Sequence, residues 1–185
     1  MATASDWCTP LAKKVLTVRE ITLFGVLAAL TFGAKFAMSY LPNIEPVTLL
    51  LLVFGAVFGL KSLFIVYVYV LAEILCYGIN TWNICYLYIW IIPVSAGTLL
   101  RRWKNPFLWA VVSGVYGLLF GALCGLVDLF IGGPGYALSK WITGIPFDVT
   151  HCLGNFVLAL LLFVPLRTLI QRLARHPSGG RSSTR

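Results

Sequence analysis

Asp148, His151 and Asn155 stand at i, i+3 and i+7 just after Gly144-Ile145-Pro146, a spacing that sets a carboxylate, an imidazole and an amide on one helical face. Such a face can hold a polar ligand, or serve a membrane-embedded enzyme as acid and base. Asp148 has a second reading as the cap of a helix that begins near Pro146, whereas His151 and Asn155 lie progressively deeper. A metal centre on Asp148 and His151 lacks a clear third ligand, so none is expected. Three more ionisable residues, Lys35, Glu73 and Asp128, fall inside apolar runs, where charge is costly and faces a cavity or a partner. A Lys35–Glu73 or Lys35–Asp128 ion pair fixing helix register is at least as good a reading as ligand contact. A Lys35–Glu73 pair could equally gate a self-sufficient carrier or channel.

Two connections add polar and aromatic groups. Leu41-Pro42-Asn43-Ile44-Glu45-Pro46-Val47-Thr48 carries Asn43 and Glu45 at the tip of a turn stiffened by two prolines. Tyr77-Gly78-Ile79-Asn80-Thr81-Trp82-Asn83 offers amides and a ring without charge, suited either to an interfacial turn or to the rim of a small-molecule pocket. The chain lacks GxxxxGK[ST], HExxH and GxSxG. Active uptake therefore needs an external motor. The five cysteines, Cys8, Cys76, Cys85, Cys124 and Cys152, contain no CxxC and read as small core residues.

The elements that must position these groups are membrane helices. Of 185 residues, 59% are hydrophobic and only 11% charged, and the mean hydropathy is +0.91. An all-α integral membrane bundle follows, with spans near 19–41, 46–60, 62–79, 84–100, 107–131 and 147–169. Residues 1–18 form an N-terminal segment without the apolar core of a cleavable signal peptide, 19–170 the membrane domain, and 171–185 a basic, disordered tail. Six crossings put both termini and twelve of the fourteen basic residues on one face, all but Lys35 and Lys140, so that face is cytoplasmic. The net charge of +8 is thereby topological and does not signal nucleic acid.

Small residues at every fourth position occur twice. Ser113, Gly117, Gly121 and Gly125 suit close packing inside the bundle, while Gly25, Ala29, Gly33 and Ala37 suit either internal packing or docking on another protein.

Taken in order, the first ladder, LPNIEPVT with LLLLVFGAVFGLK after it, YGINTWNICYLYIW and GIPFDVTHCLGNFVLALLLF resemble the S component of energy-coupling factor (ECF) transporters over residues 20–170. The chain departs from that pattern in having Gly at two ladder positions where the family is typically Ala-rich. The resemblance implies a non-enzymatic subunit in a prokaryotic cell membrane that captures a vitamin or related micronutrient near the extracellular face. Its partners are a transmembrane coupling subunit and two ATPases, which use the ATP; this chain carries no cofactor. Carried onto this sequence, Gly25, Ala29, Gly33 and Ala37 form the docking face. Asn43 and Glu45 act as lid or contact, and Asn80, Trp82, Asn83, Asp128, His151 and Asn155 surround the pocket. Cobalamin or its benzimidazole precursor is the implied ligand, with riboflavin, pantothenate and queuosine-type ligands as alternatives.

Overall fold

The computed structural model describes residues 16–41 and 44–174. Most of the segment 1–18, the tail from residue 175 onward, and Asn43 lie outside the described residues. Among the described residues every regular element is helical: α1 (Val18–Ala37), α2 (Val47–Phe58), a 3-10 turn (Gly59–Ser62), α3 (Leu63–Tyr77), α4 (Thr81–Ile89), α5 (Ile91–Leu99) and α6 (Pro106–Ala174). Four stretches, Val18–Ala37, Val47–Tyr77, Thr81–Leu99 and Pro106–Ala174, are long and apolar enough to cross a bilayer and point to a membrane protein.

A capping box starts α1: Glu20 N donates to Thr17 Oγ1 at 3.2 Å, and Thr17 N donates to Glu20 Oε2 at 2.9 Å. The other Glu20 oxygen pairs with Lys61 at 2.5 Å, tying the start of α1 to the 3-10 turn. Toward the far end of α1, Lys35 pairs with Glu73 of α3 at 2.9 Å. These two ion pairs make α1 and α3 neighbours running in the same direction. The chain must therefore return through α2, whose last residue, Phe58, meets Phe24 of α1 with ring centroids 5.0 Å apart. The reversal after α2 uses Gly59 at φ 65°, a left-handed conformation that favours glycine.

Nine of the twelve α2 residues are buried, so this short helix is the centre of the core. It crosses α5 at backbone contact. A Cβ on Gly55 would strike the Val94 carbonyl, and one on Gly97 the Leu52 carbonyl. Thr98 Oγ1 donates to Gly55 O at 3.3 Å across the same crossing.

Helix α6 folds back on itself as a hairpin. Gly133, at φ 77°, breaks the helix, and Pro134 follows with its φ already fixed for the next turn. The arms, 106–132 and 134–174, pair antiparallel: Trp109 stacks on Phe163 at 4.1 Å, and Lys140 reaches Asp128 at 2.6 Å. Between these contacts, a Cβ on Gly117 would lie 2.9 Å from Asn155 Nδ2, and one on Gly121 would overlap the Asp148 carboxylate. The second ladder thus packs internally, except Gly125, which faces open space.

This hairpin corrects two expectations. Residues 132–146 are helical apart from the break at Gly133, where the sequence suggested a loose connection, because one Gly-Pro step reverses the chain. Asp148 therefore sits mid-arm and caps nothing. Likewise the last helix runs to Ala174, past the expected boundary at residue 170.

The Glu20–Lys61 end also gathers arginines. Arg167 donates to Trp103 O at 3.0 Å and to Arg101 O, and Arg19 donates to Leu173 O at 3.3 Å. Guanidinium forks thus satisfy carbonyls at helix ends there.

Candidate functional site

At the opposite end, where Lys35 meets Glu73, two adjoining cavities of about 370 and 300 Å³ share Trp82, Phe120 and His151. The larger lies between the start of α4 and the α6 hairpin, bordered also by Cys85, Cys124, Asp128, Lys140 and Asp148. The smaller lies under the α1–α2 connection, bordered by Lys35, Ile44, Glu45 and Tyr86. That connection rests on the second arm of α6, where a Cβ on Gly154 would meet Ile44 Cγ1 at 3.3 Å.

Three side-chain bonds hold α4 and its end against α6. Tyr88 OH donates to Leu123 O at 2.7 Å, Tyr116 OH to Ile89 O at 3.1 Å, and the Cys85 thiol reaches Cys124 O at 3.6 Å. Beneath the cleft the rings are continuous. Phe120 touches His151 at 4.8 Å and Trp90 at 5.7 Å, and Trp90 in turn touches Tyr86 at 5.2 Å. Trp90 is fully buried, so these rings form a rigid apolar floor.

Beside this floor lie buried polar atoms without protein partners. Asp148 Oδ1 accepts from Gly121 N at 3.0 Å. Its Oδ2, His151 Nε2 and both amide atoms of Asn155 are buried and have no hydrogen-bond partner among the described residues. Asp148 and His151 are 6% and 3% exposed, and both border the larger cavity. Leaving such atoms unsatisfied costs about 1–3 kcal/mol each, which a matching ligand would recover.

No family model, curated protein or solved structure matches the chain.

Of the residues marked in the sequence, Glu45, Trp82, Asp128 and His151 come together around the two cavities. Asn155 lies buried below them, outside either lining. Asn80 and Asn83 serve the turn instead: Asn80 Oδ1 accepts from Asn83 N at 3.1 Å, and Asn83 Nδ2 donates to Gly78 O at 2.6 Å. They shape the rim without bordering the cavities. Lys35 found Glu73, one of its two expected partners, and lies 4.9 Å from the Tyr86 ring centroid. Asp128 found Lys140 instead, a pairing the sequence hid because the hairpin register was unknown. Phe120, Gly121 and Cys124 were also missed as cavity residues. Their shared signal was the second small-residue ladder, which brings the arms close enough to make a wall.

The first ladder faces away from the bundle. Gly25 is half-buried, Ala29, Gly33 and Ala37 are exposed, and a Cβ on Gly25 or Gly33 would meet nothing within 4 Å. It is flanked by exposed Val26 and Leu30.

Proposed function

We propose that this chain is the substrate-capture (S) subunit of an ECF-type vitamin or micronutrient uptake transporter in a prokaryotic cell membrane. The observation that carries this reading is the division of labour on α1. One face brings Lys35 into the cleft, while another presents a bare stripe, Gly25, Ala29, Gly33 and Ala37, that no helix among the described residues covers. A subunit that closes on a ligand and docks on a partner needs both.

Six crossings with both termini cytoplasmic are part of the proposal. They are supported by the parallel course of α1 and α3, the return through α2, the α6 hairpin, and the gathering of Arg19, Lys61 and Arg167 opposite the cleft. In that topology the cleft opens at the extracellular face. The stripe then meets a transmembrane coupling subunit, whose two ATPases supply the energy. Cavities of about 370 and 300 Å³ suit a ligand of one or two fused rings, and so favour the benzimidazole precursor over the cobalamin macrocycle.

Reconstitution tests the function. Liposomes holding this chain alone should bind ligand without accumulating it, and ion-driven accumulation by the solitary chain would contradict the capture role in favour of a self-sufficient carrier.

A further inference from the structure

Four of the chain's six acidic residues, Glu45, Glu73, Asp128 and Asp148, stand in or beside the cleft, although the whole chain carries +8. Two are matched: Glu73 by Lys35 at 2.9 Å and Asp128 by Lys140 at 2.6 Å. Glu45 and Asp148 have no ion pair among the described residues. Each lysine is already hydrogen-bonded to its own carboxylate. The cleft therefore holds two carboxyl groups without a cationic partner, in surroundings where water is scarce and charge pairing is strong.

The geometry narrows the ligand further. Asp148 Oδ1 is held by Gly121 N, which fixes the carboxylate and leaves Oδ2 buried and unpartnered, with His151 Nε2 in the same condition one turn along the helix. Trp82, Phe120 and Phe147 supply flat apolar faces around the same cavity. We propose that the ligand is a flat, positively charged heteroaromatic molecule that presents N–H donors on one edge to Asp148, with its rings against the aromatic wall. Protonated amino-heterocycles have this chemistry: an acidic acceptor reads the edge, and the ring faces read the cation.

This inference rests on the cleft being the capture site, but it is tested on the chain alone. The purified full chain is titrated calorimetrically at about pH 6 with 2-aminobenzimidazole, at that pH a bicyclic cation with N–H groups on one edge, and with indole and indole-3-carboxylate as neutral and anionic counterparts. The cation should bind about tenfold or more tighter than indole, the difference between a charge-assisted and a neutral hydrogen bond, and the anion more weakly still. Asp148→Asn should reduce cation binding by a similar factor and leave indole unchanged. Equal binding of all three probes, preference for the anion, no binding of the cation, or unaltered cation binding by a folded Asp148→Asn protein would overturn the proposal. The probe series on the unmodified chain decides the matter if that variant does not fold. Loss of the partner complex with cation preference intact would sink the transporter reading alone, and the converse result would sink only this one.

Discussion

The main-chain amide of Gly121 donates a 3.0 Å hydrogen bond to Asp148 Oδ1 across the two arms of α6. Approach that close depends on the absent side chain, since a Cβ on Gly121 would overlap the carboxylate. One small residue thus sets both the packing of the hairpin and the orientation of the carboxylate in the cleft.

Gly121→Ala should accordingly destabilise the protein by about 1–3 kcal/mol through overpacking and weaken ligand capture. Gly125→Ala is the control, because a Cβ there meets nothing within 4 Å. Thermal unfolding in detergent, read with and without ligand, distinguishes them. Equal behaviour of the two variants would contradict the packing described.

The α2–α5 crossing predicts a second contrast. Gly97→Ala drives a methyl group into the Leu52 carbonyl, while Gly33→Ala on the outer stripe enters open space. Unfolding midpoints should fall for the first, by the equivalent of about 1–3 kcal/mol, and stay level for the second.

Lys35→Met strands Glu73, which is only 4% exposed and whose Oε1 already lacks a partner. Removing one member of such a pair costs about 3–5 kcal/mol, whereas replacing both with apolar residues is often neutral. A double-mutant cycle with Glu73→Leu measures this, and the double variant should recover most of the stability lost by Lys35→Met alone. Additive losses would show that the two residues act independently.

Ala29→Leu and Gly33→Leu fill the outward stripe. Both variants should retain their fold and ligand binding and lose partner-dependent uptake, because bulky side chains hold the partner helix away. Parallel loss of binding and uptake would make the stripe part of the bundle's own packing.

Much of the fold was legible because burial in a membrane leaves long apolar runs, and prolines or polar breaks interrupt them. The α6 hairpin was less so: Pro146 looked like a helix start, but the reversal lies at Gly133-Pro134, and a proline inside a helix can be tolerated. In the cleft, Asp128 and His151 were legible as costly polar groups in apolar runs. Lys140, Phe120 and Cys124 were not, because only the register of the hairpin brings them opposite those groups. Asn80 and Asn83 looked like ligand contacts because amides suit both binding and capping, and the local turn claimed them first. The two ladders share one spacing and have opposite surroundings, a distinction that only three-dimensional packing supplies.

The most direct test of the capture-subunit account is native mass spectrometry of the chain isolated from its own membranes. The account predicts a complex with a second polytopic membrane protein and two ATP-hydrolysing subunits, together with a small bound molecule. A chain that emerges as a lone polypeptide carrying neither partner nor small molecule would contradict it.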